Sequence, residues 1–255
     1  MSSMIDDESP SQPGRRRVLG LIGAAGLLGL AGCKSGDGEA ATKNGSTGSA
    51  GSTASGGSAS GSCVLVPAET DGPYPLYAML SNASTLRSDI REDRTGVPLT
   101  LTMSLQDVNN SCVPINNAAV YIWHCDKDGN YSGYGSAAGK TWLRGIQLSN
   151  SNGQVTFTTV YPGWYPGRIT HIHVQIYLND NLAVTATAIT QLAFPQEVTR
   201  EVYNSSLYSA HGQNTSVSSF AADNVFSDGT GRQMLEMAGD SSSGYTAAIT
   251  LGIAV

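Results

Sequence analysis

Residues 171–177 alternate between polar and apolar side chains with a period of two. In a β-strand successive side chains point to opposite faces, so residues two apart lie side by side. This pattern predicts a strand with an apolar face toward a core and with His171 and His173 next to each other on the other face. The aliphatic residues of the apolar face are Ile172, Val174 and Ile176.

The same alternation recurs along the chain, and most clearly in residues 99–108. Gly, Asn, Asp and Pro separate the alternating segments, as is typical of turns between short strands. No long stretch has helical periodicity, although residues 195–208 are compatible with a short helix. We therefore predict an all-β fold, a single-domain antiparallel β-sandwich. The further strands that we expect are residues 118–125, 154–160, 171–178, 183–194 and 245–255.

The N-terminal residues have the composition of an export signal rather than of a folded element. Three arginines at positions 15–17 precede an apolar run that ends at Cys33. Residues 1–32 thus resemble a bacterial lipoprotein signal, with cleavage before Cys33 and lipid on that cysteine. The adjacent arginines also resemble a twin-arginine (Tat) signal, and an ordinary secretory signal with extra basic residues is the alternative.

Residues 33–62 consist almost wholly of Gly, Ser, Ala and Thr, so they cannot bury a core. We expect a flexible, disordered linker there and a folded domain over residues 63–255. This organisation predicts an exported bacterial protein, a cell-surface lipoprotein or an extracellular protein, held to a membrane through lipid on Cys33.

The net charge and the cysteines limit the possible partners and disulfide pairings. The formal net charge is −6, and residues 63–255 contain no basic run, which argues against a nucleic-acid partner. If Cys33 carries lipid, three cysteines remain, enough for one disulfide and one free thiol. Cys63 and Cys112 lie in loop-like segments and are the first candidates for the pair, whereas Cys125 lies in a strand. The other pairings stay open.

Two adjacent imidazoles on one strand form a ready pair of metal ligands. Tyr165 and Arg168 precede them in a Pro- and Gly-rich connection, and this combination suggests a ferric centre that handles an anionic, oxygen-bearing substrate. Zinc, copper and cupin-type sites also use such histidine pairs. A three-histidine zinc site would need His124 or His211 in addition.

Several sequence blocks together resemble a known family, the intradiol ring-cleaving dioxygenases, which include protocatechuate 3,4-dioxygenase and catechol 1,2-dioxygenase. The similarity is to a secreted, single-domain bacterial branch, and it spans roughly residues 63–255. The blocks, in order, are ETDGPY (69–74), YIWHCDKDGNYSGY (121–134), LRG (143–145), PGWYPGR (162–168), HIH (171–173) and TQL (190–192).

The resemblance implies one non-haem Fe(III) per chain, with ligands at Tyr131, Tyr165, His171 and His173. It places Arg168 at the position of the family's active-site arginine. The connection between Tyr165 and His171 is shorter than in protocatechuate dioxygenases, which puts a protocatechuate-specific pocket in doubt.

Further roles follow from the same resemblance. Catalytic roles fall to Arg168, to Gln191 as a glutamine that supports the iron site, and to Tyr165, which would release the metal to take up a substrate proton. Tyr74 and Trp164 are expected, with Arg168, to contact the substrate.

The implied reaction is ring cleavage of a small catechol by O2 to a cis,cis-muconate-type product, a step in aromatic compound catabolism. Two other classes of function remain as alternatives: a cell-surface β-sandwich binding module without catalysis, and a zinc hydrolase that uses His171 and His173. The sequence leaves open which catechol is preferred and whether the chain forms a homodimer.

Overall fold

The computed structural model describes residues 63–255, which fold around two β-sheets. The expected export signal at residues 1–32, the lipidated Cys33 and the linker at residues 33–62 lie outside the described residues. Within the described part, no helix is both long enough and apolar enough to cross a membrane.

Residues 63–255 contain nine strands and one α-helix, together with several short 3-10 turns. The elements are β1 (Pro98–Asp107), β2 (Val113–Pro114), β3 (Ala119–Trp123), β4 (Arg144–Leu148), β5 (Gln154–Val160), β6 (His171–Tyr177), β7 (Ala188–Ala193), α1 (Gln196–Asn204), β8 (Glu236–Asp240) and β9 (Gly244–Ile253).

The first sheet has the order β2-β1-β9-β8, with β5 paired to β1 beside β2. The second sheet has the order β4-β3-β6-β7, and all of its pairs are antiparallel. The all-β sandwich is therefore confirmed. One pair departs from the predicted antiparallel arrangement, because β9 at the end of the chain runs parallel to β1.

The main core lies between the sheets and is built by alternation. In β1 every second residue is buried, as the sequence pattern predicts. In β3 and β6 all residues are buried, because both faces of the second sheet are covered. The core side chains of these three strands are Leu99, Leu101, Met103, Leu105, Val120, Ile122, Ile172, Val174 and Ile176.

A second apolar cluster covers the other face of the second sheet. Tyr121 and Trp123 point there from β3, and Trp123 lies opposite His173 in the strand register. Residues 74–80 and 125–134 pack over this face. The polar side chains of β6 therefore point into a covered layer outside the sandwich core.

The structure corrects several predicted boundaries. The strand expected over residues 183–194 begins only at Ala188, because residues 178–187 form the reversal out of β6, with Asn179 and Asp180 in left-handed conformations. Three strands were not predicted. Two of them, β2 and β4, are short, and β8 is an exposed edge strand whose sequence, EMAGD, has low β-propensity. The short helix expected within residues 195–208 is confirmed as α1.

The cysteine expectations hold. Cys63 and Cys112 form a disulfide, which joins the start of the described chain to the turn after β1. Cys125 is a buried free thiol.

Candidate metal centre

His171 and His173 face each other across a short gap. Their Nε2 atoms lie 3.1 Å apart, and their ring centroids are 4.7 Å apart. The Nδ1–H of His171 donates to the carbonyl oxygen of Ile169 at 2.5 Å, which leaves the lone pair on Nε2. The ring of His173 stacks on Trp123, and Gly72 packs against its edge. Both imidazoles are thereby aimed at one place.

Tyr131 and Tyr165 complete a closed set of four rings. Neighbouring centroids lie 5.7 Å apart for the two tyrosines, 5.6 Å for Tyr165 and His171, and 6.1 Å for Tyr131 and His173. Both phenol oxygens are buried, and neither has a hydrogen-bond partner among the described residues. Loops supply both tyrosines, one after β3 and one before β6, so two residues 34 apart in sequence meet at the strand that carries the histidines.

Burial dominates the electrostatics of this site. It lowers the pKa of His171 to about 3, helped by the positive charge of Arg168, and it lowers the pKa of His173, helped by His171. Burial raises the pKa of Tyr131 above the ordinary value and that of Tyr165 to about 12. For Tyr165, the positive charge of Arg168 acts in the opposite direction. Burial therefore favours the neutral forms of both imidazoles and both phenols in the metal-free site.

This donor set fits a ferric ion. Buried phenol oxygens without partners are costly unless something binds them. Two phenols and two imidazoles supply oxygen and nitrogen donors, and two phenolates would balance two of the three charges of the ion. The four residues that the resemblance predicted as ligands are thus brought together, and their role as ligands stays a prediction.

Arg168 and Gln191 lie beside the four rings as one hydrogen-bonded unit. The Nη2 of Arg168 donates to Oε1 of Gln191 at 2.7 Å, and Nε2 of Gln191 donates to the carbonyl oxygen of Thr70 at 2.8 Å. Gln191 lies opposite His173 in the register of β6 and β7. Both residues are buried, so they are available to the site rather than to solvent.

Two buried charged residues escaped the sequence analysis. Asp223 forms an ion pair with Arg168, at 3.0 Å from Oδ2 to Nε. Arg144 is fully buried and donates to the hydroxyl and carbonyl oxygens of Ser132, next to Tyr131, and to the hydroxyl of Tyr121. Arg144 was part of the LRG block, but Asp223 lies in a segment without a motif.

Tyr74 packs against both candidate tyrosine donors, and its contact with the substrate stays a prediction. Its ring stacks on Tyr131 at 4.4 Å and meets Tyr165 and Tyr134 edge to face. A cavity of about 350 Å³ opens beside Tyr74 and Tyr131. Its lining residues are Tyr74, Gly129, Asn130, Tyr131, Tyr134, Gly135, Ser136 and Ala137.

Trp164 is held by contacts on the side away from the four rings. Its ring packs on His211, and its Nε1–H donates to the carbonyl oxygen of Gly212. It is not among the residues that line the cavity beside Tyr74, and its contact with the substrate stays a prediction. Successive residues of extended chain point in opposite directions, and Tyr165 takes the direction toward the centre.

The three-histidine zinc site is not assembled. The ring of His124 is hydrogen-bonded to the carbonyl oxygen of Cys125 and to Oγ1 of Thr159. The ring of His211 is hydrogen-bonded to the carbonyl oxygen of Trp164. In residues 63–255 no group of three or more His, Cys, Asp or Glu side chains is placed to hold a metal ion.

Comparisons with known proteins agree with this geometry. The model of a family described as Dioxygenase matches residues 71–199, just over half of the chain. The solved structure of an intradiol ring-cleavage dioxygenase from Tetranychus urticae is 32% identical, with a TM-score of 0.66, and the match covers 75% of this chain and 95% of that one. A search of curated proteins found no match.

More distant structures share the fold. The dioxygenase domain of a dioxygenase carbohydrate-binding protein fusion from Streptomyces sp. SirexAA-E is 22% identical, with a TM-score of 0.53, over 75% of this chain and 99% of that one. A 3-chlorocatechol 1,2-dioxygenase from Rhodococcus opacus 1CP is 18% identical, with a TM-score of 0.52, over 74% and 72%. The residues matched by the family model include all four candidate metal donors.

Proposed function

This chain belongs to the intradiol ring-cleaving dioxygenase family, and on that basis we propose that it cleaves the rings of small catechols with O2 to cis,cis-muconate-type products. The observation that carries the proposal is the set of four rings. Two buried phenol oxygens without partners, from Tyr131 and Tyr165, close a site on which the Nε2 atoms of His171 and His173 converge.

These four residues would hold one Fe(III). The lowered pKa values of His171 and His173 favour the neutral form that binds metals, and Tyr131 and Tyr165 would each lose a proton to become anionic donors. Bound ferric iron would supply Lewis acidity that binds a catechol as its dianion and makes the ring reactive toward O2.

Tyr165 is suited to receive a proton from the substrate. The family resemblance assigns this role to Tyr165, and the rise of its pKa to about 12 by burial in the metal-free site supports a side chain that would keep the proton once it had taken it up. Tyr131 is more deeply buried than Tyr165, and Tyr74 stacks on its ring. Tyr131 is therefore the phenol expected to stay in place while Tyr165 moves.

Arg168 supplies positive charge close to the reacting ring. Its charge lowers the pKa values of Tyr165, His171 and His173, which supports a role for it beside these three side chains. A fixed cation in a site that excludes water stabilises negative charge as it develops on the substrate. Gln191 holds one edge of the guanidinium group and so contributes to its orientation.

The proposal is tested by oxygen consumption with product analysis. The purified chain, loaded with ferric iron, should consume one O2 for each catechol and yield the muconate, because both oxygen atoms enter the product. No external reductant is needed for this balance. The same chain loaded with zinc is the control and should consume no oxygen.

Two results would contradict the proposal. Catechol oxidation without ring opening, giving a quinone, would indicate unspecific metal chemistry. Hydrolase activity in the zinc-loaded chain, with none in the ferric chain, would favour the zinc enzyme instead.

We also propose that the enzyme is exported and held at a bacterial membrane through lipid on Cys33, with residues 33–62 as the tether. The sequence at positions 15–33 supports this proposal. Expression in a bacterium should place the chain in the membrane fraction, and Cys33→Ser should release it. An unchanged distribution in the variant would contradict the anchor.

A further inference from the structure

Asp223 is a buried carboxylate that joins the C-terminal part of the chain to the loop before β6. Its side chain is fully buried, and its oxygens accept from Nε of Arg168 at 3.0 and 3.2 Å. They also accept from the backbone amides of Ile169 at 2.7 Å, Val225 at 2.9 Å and Phe226 at 3.1 Å. The residue lies beyond residues 71–199, the part that the family model matches.

These donors keep the carboxylate ionised. Burial raises the pKa of Asp223, but the hydrogen bonds from Ile169 and Arg168 outweigh it, so the pKa lies below the ordinary value. A buried charge is costly unless it is paired and hydrogen-bonded, and here both conditions are met. Asp223 is therefore a stable, negatively charged fixture beside the proposed active site.

Two acceptors hold the guanidinium group of Arg168 at different nitrogens. Asp223 accepts from Nε, and Gln191 accepts from Nη2. The group also lies 5.7 Å over the ring of Phe226. A planar group that is hydrogen-bonded at two nitrogens and packed over a ring has little freedom to rotate, so these contacts set the direction of its remaining donors.

The same carboxylate also fixes the backbone that leads into β6. Its bond to the amide of Ile169 lies two residues before His171. Neighbouring residues add to this hold: Nδ2 of Asn214 donates to the carbonyl oxygen of Arg168 at 2.8 Å, and the amide of Gly167 donates to Oγ of Ser216 at 3.0 Å. The loop that leads into β6 has no regular structure of its own, and residues 214–223 hold it in place through these hydrogen bonds.

We propose that Asp223 is a positioning residue for ring cleavage, which aims the guanidinium group of Arg168 at the reacting substrate and holds the loop that carries Tyr165. The inference rests on the proposed function. It goes beyond that function because it assigns a role to a residue that contacts neither the candidate metal donors nor the cavity beside Tyr74.

The test compares Asp223→Asn, Arg168→Met and the double variant in the ferric full-length chain. Asp223→Asn should keep bound iron and its visible spectrum, leave KM within about threefold and lower kcat by about 100-fold, because small misplacements of an aligned group have effects of that size. The double variant should be within about twofold of Arg168→Met alone, since Asp223 acts through Arg168.

Asp240→Asn is the matched control. Asp240 also accepts several hydrogen bonds, from Ser242 and Ser243, but it lies at the exposed end of β8, next to the turn to β9. Its variant should keep the kcat of the wild type. Asp223→Glu is the second test variant if Asp223→Asn does not fold. It keeps the charge and displaces the guanidinium group, so its kcat should also fall.

The outcomes separate the two hypotheses. If the wild type cleaves catechol and both Asp223 variants stay within about twofold of its kcat, the positioning role is overturned while the proposed function stands. If the double variant combined the full reductions in kcat of Asp223→Asn and Arg168→Met, and its melting temperature also fell, Asp223 would have a structural role only. A wild type that binds iron but does not cleave catechols would overturn the proposed function, and the positioning role would fall with it.

Discussion

His173 lies flat against Trp123, with ring planes 1° apart and centroids 4.7 Å apart. The two residues are partners in the β3–β6 register, so the strand pairing itself presses the imidazole against the indole. At the edge of the ring, an added Cβ at Gly72 would lie 2.9 Å from Cε1 of His173. The imidazole is therefore confined by a strand at its face and by a turn at its edge.

Gly72→Ala should disturb this arrangement in two ways. Gly72 has a φ of +70°, which strains any residue with a Cβ, and the new methyl group would push His173 out of position. Gly139→Ala is the control, with a φ of +75° and open space around it. Each variant should lose about 1–2 kcal/mol of unfolding free energy, but only Gly72→Ala should bind iron more weakly. Equal iron affinity in the two variants, by titration, would refute the confinement of His173.

The two tyrosines can be tested as metal donors separately from their packing. Tyr131→Phe and Tyr165→Phe should each weaken iron binding and change the visible absorption of the ferric chain, because each removes an anionic donor. Tyr161→Phe is the control, since Tyr161 is fully buried in the main core and its hydroxyl bonds to Thr199. It should lose about 1 kcal/mol of stability and keep its colour.

Local strand geometry and the family resemblance together predicted which side chains meet at this site. The period of two in β6 was sufficient to place His171 and His173 on one face, because strand geometry is local. The resemblance located Tyr131, which alternation alone would not single out from a turn. The same alternation, applied to Trp164 and Tyr165, points their rings in opposite directions, and the substrate contact expected of Trp164 stays a prediction.

Contacts between segments that are distant in the chain could not be predicted from the sequence. Asp223 meets Arg168 across 55 residues, and no local pattern announces a carboxylate that folds back onto an earlier loop. The parallel pairing of β1 with β9 likewise joins strands from opposite ends of the domain. Such pairings are set by how the whole chain packs, not by the residues of either segment alone.

Stability should depend on pH through His124. Burial lowers its pKa from 6.5 to about 4, so the folded protein keeps this ring neutral where the unfolded chain binds a proton. The neutral ring stabilises the folded state by about 3 kcal/mol, and this stabilisation is fully present above pH 6.5. It is lost as the pH falls from 6.5 to about 4. The difference in unfolding free energy between wild type and His124→Gln should shrink by this amount over that range. A difference that is constant with pH would contradict the prediction.

The cavity beside Tyr74 predicts a preference for catechols without an ionised substituent, because no Lys or Arg is among its lining residues. A ring carboxylate bound there would lose water without gaining a cationic partner. In anaerobic titrations, 3,4-dihydroxybenzamide should bind about tenfold more tightly than 3,4-dihydroxybenzoate, which differs in charge but little in shape.

Ser136→Arg supplies the missing cation and should narrow that difference. Ser136 lines the cavity and is exposed, so the longer side chain has room to reach solvent. Equal affinities of the wild-type chain for the amide and the acid would show that the substrate does not bind in this cavity.

The central claim, that Tyr131, Tyr165, His171 and His173 hold one ferric ion that binds catechol, is tested most directly by an optical spectrum. The purified chain, loaded with Fe(III), is measured before and after catechol is added without oxygen. We predict a broad visible band from tyrosinate to iron that moves to longer wavelength on catechol addition. A chain that stays colourless after ferric reconstitution would contradict the account, because neither tyrosine would then be a ligand.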